Sequence, residues 1–211
     1  MARLVRAEKA LFGWAPLRLN SGCGATFFWA PRRMKIEPLI SEERIQGRVR
    51  ELAAELAAKE MSHPPVCLMV LQGAVPFARD LAGHLDMEGK FEEVAVSSYL
   101  GTTSAQRNPV VVGKLPESIR GRHVLVIDDI LDTGRTLDFL HRTLVEQGAL
   151  DVRFCVLLRK DVPRVCDVAV EYVGFDIQNE FVVGYGLDFQ GDYRGLPYVG
   201  VFCPDGSAEG L

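Results

Sequence analysis

The stretch Val124-Leu125-Val126-Ile127-Asp128-Asp129-Ile130-Leu131-Asp132-Thr133-Gly134-Arg135-Thr136 decides how this 211-residue chain is read. Val124 to Ile127 are apolar without interruption, as a strand buried on both faces must be. The next residues, Asp128 to Thr136, read as a loop that opens on two carboxylates and leads into a helix marked by Leu137, Leu140 and Leu144 and closed by Gly148. At such a helix start, free backbone N–H groups, hydroxyls and the helix dipole favour a phosphate. Two carboxylates alone would repel it. They make sense where the ligand also presents hydroxyls, because an ionised carboxylate only accepts and takes sugar O–H donors. A phosphorylated ribose offers both.

The same grammar repeats on either side. Upstream, Ile45, Val49, Leu52, Ala53 and Leu56 share one helical face from Ser41 to about Lys59, with Glu42 and Glu43 suited to the first-turn dipole. A second apolar run, Val66 to Leu71, turns at Gly73 into a helix begun at Pro76 and carrying Phe77, Leu81 and Leu85. Downstream, Val152 to Leu158 is a further strand. Alternating buried strands and amphipathic helices predict an α/β fold with a central parallel sheet, whose ligands sit beyond the carboxyl ends of the strands. After Lys160 the helical period is lost, and Tyr172 to Phe175, Phe181 to Tyr185 and Tyr198 to Phe202 predict a small irregular hood over the C-terminal sheet edge. Gly101 to Pro109 is polar and turn-rich, a mobile loop by composition.

Composition narrows the classes. With 48% hydrophobic and 25% charged residues the chain fits one globular domain and neither disorder nor a fibrous repeat. A net charge of -4 argues against nucleic acid as the main partner, and no apolar run reaches the length of about 20 residues that a membrane span needs. Cys23, Cys67, Cys155, Cys166 and Cys203 lack metal-ligand spacing and read as free thiols of a reducing, cytoplasmic compartment. Residues 1–33 stand apart from a domain spanning 34–211: Arg3, Arg6, Lys9, Arg18, Arg32 and Arg33 face a single acid, Glu8, without periodicity. They suit a mis-assigned start or a dispensable tail better than a signal peptide, whose apolar segment is interrupted here.

Taken together, the order apolar strand, Asp128-Asp129, two apolar residues, Asp132-Thr133-Gly134-Arg135-Thr136 and helix resembles the phosphoribosyl-pyrophosphate motif of the type I phosphoribosyltransferases. Asp128 stands where many members have Glu, and Arg135 where Lys is frequent. Four further stretches match the hypoxanthine-guanine branch in order, from about Leu39 to Pro204. Leu71-Gln72-Gly73-Ala74 is similar to the pyrophosphate loop, with neutral Gln72 in place of the usual Lys or Arg. Ser98-Tyr99 and the segment after it resemble the lid that excludes water from the reacting centre. Lys160, after Leu157-Leu158-Arg159, matches the lysine that faces the exocyclic oxygen of the purine. Tyr172 to Phe175 and Phe181 to Asp188, followed by Tyr193-Arg194, resemble the purine-binding hood.

This resemblance implies a type I phosphoribosyltransferase fold and transfer of a phosphoribosyl group to a 6-oxopurine with magnesium, by a homodimer or homotetramer. It implies that Asp132 takes the purine proton as catalytic base, that Asp128 and Asp129 hold the ribose hydroxyls, and that Asp132, Thr133, Gly134, Arg135 and Thr136 surround the 5-phosphate. Gln72, Gly73 and Arg194 would meet pyrophosphate. Phe181 would stack on the base while the backbone of Val182 reads its edge, and Asp188 would serve the metal together with Asp128 and Asp129. None of His63, His84, His123 and His141 falls within a motif. The rival reading is a regulator of the same fold that senses phosphoribosyl pyrophosphate and binds nucleic acid. It predicts a basic face and eroded catalytic groups, which this chain does not have. A dinucleotide-binding enzyme would need a GxGxxG turn, and none follows a first strand.

Overall fold

The computed structural model describes residues 14–19, 26–31, 34–60, 64–85, 91–100 and 107–204. Strands β1 (Trp14–Leu19) and β2 (Thr26–Pro31) form an antiparallel pair of their own. The domain then runs β3 (Met34–Ile40), α1 (Glu42–Glu60), β4 (Val66–Leu71), α2 (Val75–His84), β5 (Phe91–Leu100), β6 (Arg107–Val112), β7 (His123–Leu131), α3 (Arg135–Glu146), β8 (Asp151–Lys160), β9 (Tyr172–Ile177), β10 (Val182–Val183) and β11 (Val199–Pro204).

Six strands make the central sheet in the order β6-β5-β4-β7-β8-β9, parallel throughout except for the antiparallel edge strand β6. The alternation along β7 explains the layering. Leu125 and Ile127 point to one face, where they meet Ile45, Val49, Leu52 and Leu56 of α1 and Phe77 and Leu81 of α2. Val124 and Val126 point to the other, beneath Leu137, Leu140 and Leu144 of α3. The helices therefore bury the apolar faces that their spacing defines. At the β9 edge Arg48 of α1 donates to the carbonyls of Val173 (2.9 Å) and Gly174 (3.1 Å) while pairing with Glu51 and Glu55, which fixes α1 against the sheet.

Three expectations need correction. Strand β7 does not stop at Ile127 but carries Asp128 to Leu131 as well, so the loop is only Asp132 to Gly134. Its ladder to β8 continues through Asp128↔Val156 to Leu131↔Arg159, and that pairing outweighs the polar side chains in deciding where the strand ends. Tyr172 to Phe175 belongs to the central sheet as β9, paired in parallel with β8, and not to the hood. The hood itself is a regular three-stranded antiparallel sheet, β10-β11-β3, whose third strand comes from Met34 to Ile40 at the other end of the domain.

Candidate active site

Strand β7 carries its two carboxylates to the carboxyl edge of the sheet, where they face the turn after β4. Asp128, Asp129, Asp132, Thr133, Gly134, Arg135 and Thr136 line one cleft of about 250 Å³ together with Val70, Leu71, Gly73, Val96, Ile130, Leu131 and Leu137. Every residue predicted for the ribose and phosphate sites is therefore in one place. Among the pyrophosphate residues Gly73 joins them, whereas Gln72 is exposed in the turn. The Leu71-Gln72 peptide is cis.

Asp128 is buried, and burial with the neighbouring Asp129 charge pushes its carboxyl well above the usual carboxylate range. Burial also raises Asp129, against the pull of its hydrogen bonds and of Arg194. A buried acid and a half-buried neighbour resist carrying two charges at once, so the pair holds on to a proton more tightly than isolated carboxyls do. The N–H of Asp129 donates to Asp128 Oδ1 at 3.0 Å.

Two glycines make this geometry possible. A Cβ on Gly73 would lie 1.6 Å from Asp129 Oδ2, so the absence of a side chain there is what lets the carboxylate face the turn. Gly134 has φ 84°, the left-handed region that L side chains avoid, and forms the N-cap of α3. A Cβ there would also meet the Cys166 carbonyl at 2.3 Å. The loop is backed by the segment that follows β8. The N–H groups of Val165 and Cys166 donate to the Thr133 carbonyl at 3.0 and 3.2 Å. Arg164 donates to the carbonyls of Leu131, Asp132 and Lys160. The sequence reading did not single out Arg164, since one arginine in a polar loop carries no periodic or motif signal.

Lys160 ends β8 with its side chain 12% exposed, and its Nζ stands 3.6 Å from Asp132 Oδ2. The expected base and the expected purine-facing lysine are thus neighbours. In the hood Phe181 keeps 51% of its surface, edge-on to Phe189 (centroids 5.6 Å apart) and tilted against Phe202 at 5.7 Å. Val182 is buried in β10. Arg194 donates to the Gly186 carbonyl at 2.6 Å and pairs with Asp188 Oδ1 at 2.7 Å, while Asp188 Oδ2 accepts the N–H of Gly191 at 2.8 Å. Asp188 does not converge with Asp128 and Asp129: among the described residues no three His, Cys, Asp or Glu side chains form a metal cluster. Ser98 and Tyr99 have their backbone in β5, opposite Pro109 and Asn108, but the side chains of both lie outside the described residues, as do residues 101–106 of the expected lid.

The phosphoribosyl transferase domain family matches residues 40–190. The chain belongs to this family. Among similar members, the hypoxanthine-guanine phosphoribosyltransferase of Bacillus subtilis is 40% identical over 166 residues, covering 79% of this chain and 92% of that protein. The Mycobacterium avium protein of the same name is 42% identical over 172 residues, covering 79% and 85%. A crystal structure of a Staphylococcus aureus hypoxanthine phosphoribosyltransferase superposes with a TM-score of 0.75 at 38% identity, over 80% of this chain and 91% of that one. Family membership makes the type I fold expected from the sequence the fold observed. No helix among the described residues is long and apolar enough to cross a membrane.

Proposed function

We propose that this chain salvages purines by transferring the phosphoribosyl group of 5-phosphoribosyl 1-pyrophosphate to hypoxanthine or guanine, giving IMP or GMP and pyrophosphate. The observation that carries the proposal is the junction of two half-sites. An acid pair and a phosphate loop share one cleft, and Lys160 stands beside Asp132, one of the residues that line it. In the proposed reaction the loop from Asp132 to Thr136 holds the 5-phosphate with backbone N–H groups at the start of α3. Asp128 and Asp129 accept the ribose hydroxyls. Arg194 meets pyrophosphate with its charged fork, and the backbone around Gly73 meets it without charge. Lys160 donates to the purine 6-oxygen, Phe181 lies against the ring, and the backbone of Val182 reads its edge.

As the bond from the anomeric carbon to pyrophosphate breaks, the purine nitrogen attacks the cationic sugar carbon, and Asp132 takes the proton that the imidazole ring loses. Orientation and fixed charges contribute much of the rate. The carboxylates of Asp128, Asp129 and Asp188 offer oxygen donors only, which suits magnesium, an ion commonly held by one or two carboxylates plus substrate phosphates. Magnesium held by the Asp128-Asp129 pair or by Asp188, each together with substrate oxygens, would neutralise charge on the departing pyrophosphate. A cytoplasmic enzyme acting as a homodimer or homotetramer, with no nucleic-acid or membrane partner, completes the reading. Ser98 and Tyr99 would belong to the segment that covers the cleft.

The test is product formation from phosphoribosyl pyrophosphate with hypoxanthine, guanine, xanthine and adenine in turn, with and without magnesium. Magnesium-dependent use of hypoxanthine or guanine is expected. Adenine should be poor, because an ammonium at Lys160 only donates and cannot accept from an amino group. Equal efficiency on adenine and hypoxanthine would overturn the assignment.

A further inference from the structure

The pairing of β7 with β8 ends at Leu131↔Arg159. Asp132 and Lys160 are the first residues past that point and are not paired with each other. Arg164 takes over there. Its Nη1 donates to the carbonyl of Leu131 at 3.2 Å and to that of Asp132, and its Nη2 donates to the carbonyl of Lys160 at 2.7 Å. One planar guanidinium therefore joins the two strand ends, and its rigid fork fixes their separation in a way a flexible ammonium does not. At the same edge lie Asp161 and the pair Arg159 and Asp176, which bond each other at 2.6 Å. Arg164 adds to the positive surroundings that keep the Asp176 carboxyl below its ordinary range, after the larger effect of Arg159.

We infer that Arg164 is a positioning residue for phosphoribosyl transfer, setting the distance between the carboxylate that takes the purine proton and the ammonium that faces the 6-oxygen. This rests on the roles proposed for Asp132 and Lys160. The phosphate loop has separate support, because the Thr133 carbonyl is held by the N–H groups of Val165 and Cys166. Loss of the guanidinium should therefore damage the relation between purine and base while sparing the 5-phosphate site.

The experiment compares the parent chain with Arg164→Gln, Arg164→Lys and Arg164→Ala, measuring kcat, purine KM, and phosphoribosyl pyrophosphate affinity by calorimetry. A displacement of about 1 Å at a reacting group costs on the order of 100-fold, so Arg164→Gln should lose about 10- to 100-fold in kcat and raise purine KM, with phosphoribosyl pyrophosphate affinity within about threefold of the parent. Arg164→Lys should fall between, and methylguanidinium added to Arg164→Ala should restore part of the turnover. Unchanged kcat in an active background would overturn the inference, as would affinity and turnover falling in parallel, the signature of a loop that has merely collapsed. If the Ala variant does not fold, the kcat and affinity of Arg164→Lys decide between these outcomes. An inactive parent refutes the proposed reaction itself; an active parent with unaffected variants refutes only the positioning role.

Discussion

Gly73→Ala is the sharpest perturbation the structure offers, because it adds one methyl group and leaves every charge in place. The new Cβ would fall 1.6 Å from Asp129 Oδ2 and 2.7 Å from its Cγ, whereas real Cβ contacts essentially never come under 3.0 Å. Something must yield, and the atom in the way is the free end of a side chain, so the carboxylate retreats by about 1.5 Å, beyond the displacement of about 1 Å that already disables a reacting group. Thermal stability should then suffer less than the roughly 1–3 kcal/mol typical of an overpacked core. Binding carries the loss. A hydrogen bond to a charged group contributes about 1.5–3 kcal/mol, so phosphoribosyl pyrophosphate affinity should fall roughly 10- to 150-fold. Titration calorimetry of Gly73→Ala, Asp129→Ala and the double variant measures this. The two changes should be strongly non-additive, since the atoms the methyl group meets are those of Asp129. Parental affinity in Gly73→Ala would refute the argument that the glycine exists to admit the carboxylate.

Three further outcomes are expected. Asp132→Asn keeps the shape but cannot take a proton, so single-turnover rate should fall about 10²- to 10⁴-fold with substrate affinity nearly unchanged, and near-normal turnover would remove Asp132 from the chemistry. Asp128→Asn should raise Tm in the absence of ligand while abolishing tight substrate binding. Because the folded-state pKa of Asp128 is raised, the folded protein binds the extra proton, and stability falls as pH rises from the ordinary carboxyl range through that raised value. The gain in Tm should accordingly be largest above that raised value and fade as pH falls toward about 4, where the unfolded carboxyl is also protonated; a gain that grows on acidification would contradict it. Finally, a chain beginning at Met34 should stay folded and active, because β1 and β2 pair with one another while β3, the strand the hood requires, starts at Met34. Loss of folded protein, seen by circular dichroism, would show that residues 1–33 are structural.

Much of this fold was legible because burial and periodicity coincide in it. The face Ile45, Val49, Leu52, Ala53 and Leu56 is the buried face of α1, and the run from Val66 to Leu71 has the bounds of β4. What escaped was decided by partners remote in sequence. Met34 to Ile40 has no strand signal strong enough to stand alone and becomes β3 only through β11. Tyr172 to Phe175 looks like the hood pieces that follow it, yet β8 claims it for the central sheet. The acid pair looked like loop because carboxylates interrupt an apolar run, although a strand whose backbone is already paired on the β8 side tolerates them at its end. In the site, the cleft residues from Asp128 to Leu137 are contiguous in sequence and therefore readable. The approach of Lys160 to Asp132 was not readable from spacing, nor was the contact of Arg164 with three carbonyls, since backbone carbonyls carry no residue identity.

The pairing of β3 with β11 also gives the chain a timetable. A ribosome releases β4, α2, β7, α3 and β8 before β11, so the cleft for the sugar phosphate can form while synthesis continues. Strand β3 emerges before all of them and must wait for β11, the last strand, before it finds its place between chain ends far apart in sequence. The wall against which a purine would lie is thus completed last, and a nascent chain passes through a stage with one half of its site built.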